Sequence, residues 1–199
     1  MRVGRKWYRT IWESEETPGV IEIIDQRFLP HDFVIEQLDS FEKIVRAIRD
    51  MHVRGAGLIG AAAGYGMYLA AREARSLETI DSFFSAAALQ LSQTRPTAVN
   101  LQWVVKRQLA ALQNGDTLDE KVAIAREMAE NIANEDVQFC KQIGLEGLKL
   151  IHALSESKKG DTVNILTHCN AGWLAFVDYG SAISPIYHAF DAGFNIHVW

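Results

Sequence analysis

Cysteine is scarce in this chain: only Cys140 and Cys169 occur among its 199 residues. Two cysteines cannot form the disulfide framework of a small secreted domain, and reduced thiols in a cytoplasmic protein fit them better. Combined with six scattered histidines, they provide no zinc-ligand spacing. The sequence therefore predicts no disulfide and no metal site.

Long apolar runs are missing as well. The N-terminal stretch MRVGRKWYRTIW has no hydrophobic core of the length that a signal peptide requires. The longest uncharged run, residues 55–71, is short for a membrane-spanning helix and rich in glycine. We therefore expect a buried helix there, and no membrane partner.

Positive charge is not in excess, because the formal net charge is −5. An acidic chain does not attract nucleic acid, so an anionic ligand would need a local cationic pocket. A GxxxxGK[ST] loop, a GxGxxG turn after a strand and a GxSxG elbow are all absent from the sequence. Their absence leaves a P-loop enzyme, a dinucleotide-binding protein and a serine hydrolase of that type without support.

The apolar content of 48% and the charged content of 23% are typical of a globular protein. Tyr8–Trp12 and Val20–Asp25 are rich in β-forming residues, and helical periodicity follows from Phe41 onward. Phe41, Ile44, Val45 and Ile48 share one face, with Ser40 as the predicted N-cap. Further helices are predicted over residues 55–72, 80–94, 98–112 and 118–154, the last with a break near Gly144.

The last forty residues change character after the polar linker SESKKGD, residues 155–161. The strand TVNILTH, the loop CNAG, a helix over 173–193 bent near Pro185, and the strand NIHVW form a β–α–β unit with parallel strands. We predict two domains, residues 1–150 and 151–199. Because two parallel strands and one helix leave both sheet edges unpaired, we expect the chain to be the front part of a longer protein.

Three short motifs could bind a ligand or perform chemistry. Arg54-Gly55-Ala56 opens a helix, where an arginine beside free N–H groups suits a phosphate, although it could equally be a surface arginine before a packed helix. Arg95 precedes Pro96 at another helix start, which could be a plain helix start. Cys169 follows a parallel strand and precedes a predicted helix, which would favour its thiolate; a buried structural thiol is the alternative.

Five stretches in order along the chain make it resemble the methylthioribose-1-phosphate isomerases of methionine salvage. They are YRTIW (8–12), IIDQRFLPH (23–31), VRGAGLIGAAAGYGM (53–67), RPTAVNLQW (95–103) and ILTHCNAG (165–172). The resemblance implies an α/β protein: an N-terminal, mainly helical domain with a small antiparallel sheet, then the first β–α–β part of a Rossmann-like parallel sheet. The active site would lie between the two parts.

The resemblance also implies residue roles. The substrate phosphate would be held by Arg54, Gly55, Ala56 and Arg95, with Cys169 catalytic and Asn170, Ala171 and Gly172 forming the pocket loop. The reaction would convert 5-methylthioribose 1-phosphate into 5-methylthioribulose 1-phosphate, without a cofactor, in a homodimer or with a complementing C-terminal chain. Alternatives are a ribose-1,5-bisphosphate isomerase and a non-catalytic subunit that senses a sugar phosphate or nucleotide.

Two departures from the family pattern matter. The family usually has a proline after its RGA motif, where this chain has Gly57. The family's catalytic aspartate lies beyond the stretch that matches this chain, so we expect these residues alone to be inactive.

Overall fold

The computed structural model describes all residues, 1–199, and shows a mixed α/β protein. Seven strands form three small sheets, and six α-helices make up most of the chain. The strands are β1 (Arg2–Val3), β2 (Lys6–Trp7), β3 (Ile11–Glu13), β4 (Ile21–Ile24), β5 (Ile35–Leu38), β6 (Val163–Ile165) and β7 (Ile196–Val198). The helices are α1 (Phe41–Arg49), α2 (Ala56–Glu73), α3 (Ile80–Thr94), α4 (Val99–Leu112), α5 (Leu118–Ser157) and α6 (Ser184–Asp191).

The N-terminal sheet is antiparallel, in the order β3-β4-β5, with Ile11 paired to Ile23 and Ile21 paired to Leu38. These four side chains are buried in the main core. The predicted strands at residues 8–12 and 20–25 are thus confirmed in outline. The β1–β2 hairpin and β5 were missed, because strands of two to four residues carry little periodic signal.

Helix α1 buries the predicted face, formed by Phe41, Ile44, Val45 and Ile48. Ser40 occupies the N-cap position but makes no side-chain cap. The first N–H of the helix, that of Phe41, instead donates to Oε1 of Glu73 at the end of α2, at 2.8 Å. The carboxylate of Glu73, which is distant in sequence, therefore caps the helix in place of Ser40.

Helix α2 runs through the middle of the helical part and is buried from Gly57 to Ala71. Three of its glycines allow close packing, as the sequence predicted. A Cβ on Gly60 would lie 3.4 Å from Asn100 Cβ, and one on Gly66 would lie 3.0 Å from Ile44 Cγ2. None of the helices combines the length and the apolar character that crossing a bilayer requires.

Helix α5 is a single helix of 40 residues, roughly 60 Å long, that begins with a capping box between Thr117 and Glu120. The predicted break near Gly144 is wrong. Gly144 stays helical because α6 packs directly on it, with Ser184 Oγ and the His188 ring against the glycine. Because α5 continues through residue 150, no change of secondary structure marks the predicted boundary there. The division into residues 1–150 and 151–199 stays a prediction.

The C-terminal unit pairs β6 and β7 in parallel, with Val163 opposite Ile196. Ile151, Val163 and Ala189 form a small core between this sheet, α5 and α6. The predicted helix over residues 173–193 is only partly correct. Trp173–Ala175 form one 3₁₀ turn, residues 176–183 are irregular, and α6 begins at Ser184 with Pro185 in its first turn.

Candidate active site at the start of two parallel helices

Helices α2 and α4 run parallel, and this places two of the three motifs at one end of the helical part. Gly60 of α2 faces Asn100 of α4, and one turn later Gly64 faces Val104. Because residue numbers increase in the same direction along both helices at these contacts, the two helices are parallel. Their N-termini therefore lie side by side. Arg54 precedes α2 and Arg95 precedes α4, so we call this the arginine end.

The RGA motif begins α2 in the predicted way. Arg54 and Ala56 are exposed, and Gly55 is half-buried at the N-cap position with φ 97° and ψ 153°. A non-glycine residue rarely adopts this conformation. The first N–H groups of α2 have no intrahelical acceptors and carry the positive end of the helix dipole, which suits an anion.

Arg95 lies in the turn between α3 and α4, where its backbone oxygen accepts a hydrogen bond from Ala98 N–H at 2.9 Å. Pro96 is outside α4, which begins at Val99 and not in the proline's own turn as expected. The guanidinium is half-buried, and its Nη1 is enclosed without a hydrogen-bond partner. A buried donor that bears charge and lacks an acceptor is costly unless a ligand binds it.

Cys169 is exposed in the loop 166–172, which we call the thiol loop, and its backbone has a φ of 70°. The strand before it ends at Ile165, earlier than predicted. No α-helix begins directly after it, so the expected thiolate stabilisation by a helix N-terminus is wrong. The buried-thiol alternative also fails for Cys169, because the side chain is exposed.

The three residues after Cys169 form a turn that folds back on itself. Asn170 is exposed, Ala171 O accepts from Ser181 N–H at 3.0 Å, and Gly172 O accepts from Ala175 N–H at 3.0 Å. Ala175 then packs against the bare backbone of Gly55. This contact brings the segment after the thiol loop to the start of α2.

The thiol loop is followed by residues 174–178, which we call the anchor segment. Its backbone groups bond to partners far away in the sequence. Gln26 Nε2 donates to Leu174 O at 2.6 Å, Thr10 N–H donates to Val177 O at 3.0 Å, and Val177 N–H donates to Asp136 Oδ2 at 2.7 Å. These bonds explain why the segment is not helical: its polar groups are satisfied from other elements.

Asp136, on α5, lies at the meeting point of these elements. A Cβ on Gly57 would overlap Oδ1 of Asp136 and the ring of Phe176. Glycine at position 57 therefore permits this close approach of α2, α5 and the anchor segment. Burial raises the pKa of the Asp136 carboxyl to about 6, and the hydrogen bond from Val177 N–H offsets only part of that rise.

The raised pKa of Asp136 predicts a specific dependence of stability on pH. Its folded-state pKa lies above the unfolded value of 3.8, so its stabilising contribution is complete below that pH and is lost as pH rises through about 6. Relative to Asp136→Asn, the wild-type free energy of unfolding should fall by about 1–3 kcal/mol between pH 4 and pH 7.5. Urea unfolding of both proteins at several pH values measures this; a constant difference would contradict it.

Cys140, one turn further along α5, is buried, and burial raises the pKa of its thiol to about 12. Its burial within the helix indicates a structural role. Neither Asp136 nor the anchoring residues Thr10 and Gln26 were predicted. Their role comes from contacts across more than 40 residues of sequence, for which the local pattern has no signal.

Two of the cavities at the surface are the most prominent. The larger, about 720 Å³, lies over the first strands beside Trp7, Tyr8 and Trp12, away from the three motifs. The smaller, about 240 Å³, lies between α2, α4 and α5 and is lined by Gly57, Gly60, Ala61, Asn100, Trp103, Val104, Ile132, Glu135, Asp136 and Phe139. Only the smaller one adjoins the arginine end.

One cluster has the residue types of a metal site. Asp25, Glu36 and His52 present ligand atoms within 4.8 Å of one another. However, the guanidinium of Arg27 forms an ion pair with Asp25 at 2.5 Å and lies 3.9 Å from Glu36. It lowers the pKa of the Asp25 carboxyl against the opposing effect of burial. The cluster is thus explained as an ion-pair network that ties β4 to β5.

Residues 52–199, which contain the RGA motif, Arg95 and the thiol loop, match the model of the initiation factor 2 subunit family. The chain belongs to the initiation factor 2 subunit family. The matched residues include both the arginine end and the C-terminal unit.

Curated relatives of this family member are named methylthioribose-1-phosphate isomerase, which confirms the resemblance seen in the motifs. The protein from Desulfatibacillum aliphaticivorans is 48% identical over the whole chain and 54% of its own length. That from Escherichia coli O45:K1 is 44% identical over the whole chain and 52% of its own length. The chain spans about half the length of the curated relatives it matches.

Two solved structures are similar to this family member. The 5-methylthioribose 1-phosphate isomerase of Pyrococcus horikoshii OT3 matches with a TM-score of 0.82 and 35% identity, over 98% of this chain and 52% of that one. The translation initiation factor eIF-2B subunit delta of A. fulgidus matches with a TM-score of 0.79 and 33% identity, over 96% and 54% respectively. The mixed α/β fold is therefore shared with both an enzyme and a translation factor.

Proposed function

We propose that this chain provides the phosphate-binding and thiol-bearing part of an isomerase that converts 5-methylthioribose 1-phosphate into 5-methylthioribulose 1-phosphate in methionine salvage. The names of the curated relatives support this reaction. Because the chain covers about half of those relatives, the activity is proposed for the gene product that carries residues 1–199. We expect residues 1–199 alone to bind the phosphate without turnover.

The observation that carries the proposal is the arginine end. Two helix N-termini, the exposed Arg54 and the half-buried Arg95 lie together, and Arg95 Nη1 has an unused donor. Helix N-termini and arginine forks are the groups that bind phosphate in proteins. We assign phosphate binding to Arg54, Gly55, Ala56 and Arg95.

The chemistry assigned to Cys169 follows from the substrate. A phosphate on C1 blocks ordinary ring opening to a free aldehyde, so the ring C–O bond must break while hydrogen moves between C2 and C1. The thiolate of Cys169 would take the proton from C2 while an acid protonates the ring oxygen that leaves C1. A proton would then be returned to C1 as the C2 hydroxyl loses its own proton and becomes the ketone. In a hydride-shift route, Cys169 would only stabilise the transition state. The loop residues Asn170, Ala171 and Gly172 would border the sugar.

Finer features belong to the same proposal. We propose that β6, α6 and β7 begin a Rossmann-like parallel sheet, that the protein acts in the cytoplasm, and that it assembles as a homodimer or with a complementing C-terminal chain. The parallel β6–β7 pair supports the first of these.

A non-catalytic subunit that senses a sugar phosphate or nucleotide is the second candidate. The similarity to the initiation factor subunit of A. fulgidus favours it. A ribose-1,5-bisphosphate isomerase is the third, and it would need further cationic groups for a second phosphate. Turnover of 5-methylthioribose 1-phosphate separates the three, because the sensor converts no substrate and the bisphosphate enzyme requires the second phosphate.

Phosphate binding gives a direct test. Isothermal titration of the chain with inorganic phosphate and with 5-methylthioribose 1-phosphate should show weaker binding after Arg54→Ala or Arg95→Ala, by about 10- to 100-fold each, because each loses a charge-assisted hydrogen bond. Arg75→Ala is the matched control, since this exposed arginine follows the opposite end of α2, where its Nη1 donates to Arg72 O. Equal affinities in all four proteins would overturn the assignment.

A further inference from the structure

We propose that Asp136 is a positioning residue that holds the anchor segment, residues 174–178, against the start of α2 and thereby fixes the thiol loop relative to the phosphate site. The inference rests on the proposed function for its link to turnover. The structural part of the inference, that Asp136 holds the anchor segment in place, rests only on the contacts of Asp136.

Asp136 contacts the anchor segment and the start of α2 at once. Its Oδ2 accepts the hydrogen bond from Val177 N–H at 2.7 Å, and its Oδ1 lies against Gly57 in the first turn of α2. The carboxylate also faces the positive end of the helix dipole.

The other bonds to the anchor segment come from neutral groups or from its end. Gln26 Nε2 donates to Leu174 O, and Thr10 Oγ1 donates to Phe176 O at 2.5 Å. The N-terminal ammonium pairs with Asp178 at 2.7 Å. Asp136 is therefore the one ionisable group whose charge acts in the middle of the segment.

The surroundings of Asp136 contain little other charge. On α5, Glu135 turns away to pair with both Nη atoms of Arg107, and the Cys140 thiol is buried and neutral. From the anchor segment, Asp178 is already paired with the N-terminus. The positions of α2 and α4 that line the adjoining cavity are uncharged: Gly57, Gly60, Ala61, Asn100, Trp103 and Val104.

This setting makes the anchor sensitive to pH. Burial raises the pKa of Asp136 to about 6, so the anchored state binds a proton more readily than a loosened state in which the carboxyl meets water. The anchor segment should therefore be held more firmly below that pH and should loosen, with the thiol loop, as the pH rises through it.

Amide hydrogen exchange of Val177 tests the anchor without any substrate. Asp136→Ala should lower the protection of the Val177 amide by tenfold or more, and Asp136→Asn, which keeps an acceptor oxygen, should lower it less. The amide of Ile59 in α2 serves as the internal reference, because it bonds to Gly55 O within the helix. Unchanged Val177 protection in Asp136→Ala would overturn the proposal.

Turnover by the gene product that carries residues 1–199 tests the functional link. We expect Asp136→Ala to lower kcat by tenfold or more with KM changed less than threefold, and Asp136→Asn to restore most of the rate at neutral pH. Because loosening accompanies deprotonation, the wild type should lose rate relative to Asp136→Asn as the pH rises through about 6. Glu135→Gln, on the adjacent residue, is the matched control and should keep its rate.

The two proposals fail in distinguishable ways. If the wild type binds phosphate but converts no aldose phosphate, the isomerase assignment fails, while the Val177 exchange result still decides the role of Asp136. If the wild type turns over and Asp136→Ala matches Glu135→Gln in kcat and pH profile, the positioning role is wrong and the isomerase stands.

Discussion

Replacing Cys169 with alanine should lower turnover of 5-methylthioribose 1-phosphate by about 10²- to 10⁴-fold, the range that proton transfer by a positioned group supplies. The side chain is exposed and packs in no core, so the substitution removes chemistry and little else. Stability should change by no more than about 0.5 kcal/mol. The affinity for phosphate should stay within twofold of the wild-type value, since the residues assigned to phosphate binding lie outside the thiol loop.

Cys140→Ala is the matched control for that experiment. Its thiol is buried within α5, so the substitution should lower stability and leave kcat intact. The substrate and product are followed by NMR in the gene product that carries these residues, at a fixed pH. Normal turnover by Cys169→Ala would remove Cys169 from the catalytic machinery, and a loss of phosphate affinity would show that it binds substrate instead.

The second large effect is expected at Gly55. Gly55→Ala should destabilise the chain by about 2–6 kcal/mol, which combines two separate costs. The backbone conformation at φ 97° and ψ 153° costs a non-glycine residue about 1–3 kcal/mol. A Cβ there would also overlap the backbone of Ala175, and such overpacking costs about 1–3 kcal/mol.

Gly160→Ala separates these two costs. Gly160 also has a positive φ, 84°, but a Cβ on it would meet no atom within 4 Å. It should therefore show only the backbone penalty, and urea unfolding of both variants measures the difference. If Gly55→Ala proves no more destabilising than Gly160→Ala, the packing between α2 and the anchor segment does not contribute to stability.

The prediction at Gly55 changes how the RGA motif is understood. From the sequence, the glycine permits a ligand to approach the free N–H groups of the helix. In the structure, the same bare backbone is contacted by Ala175, so the glycine also joins the phosphate site to the segment that follows the thiol. Both uses require the absence of a side chain, and only the folded chain shows the second.

Local pattern was sufficient for much of the fold. Helix α3 was predicted with its observed ends, and the buried face of α1 follows directly from its periodicity. Prediction from the local sequence pattern failed where residues distant in sequence supply the backbone hydrogen bonds that a helix would otherwise make. Residues 176–183 have helix-compatible composition, yet Thr10, Gln26 and Asp136 satisfy the backbone of the anchor segment and keep it irregular.

The sequence by itself determined which residues are present to do chemistry: two arginines before helix starts, a glycine-rich helix, and a thiol after a parallel strand. Residue type and spacing are enough for that, because helix starts and strand ends are specified over a few positions. Only the tertiary structure decided that α2 and α4 run parallel, which brings Arg54 and Arg95 to one end. It also decided that Cys169 is exposed and that the half-buried carboxylate of Asp136 contacts both the anchor segment and the first turn of α2. Contacts between segments more than 40 residues apart follow from packing, which spacing along the chain does not encode.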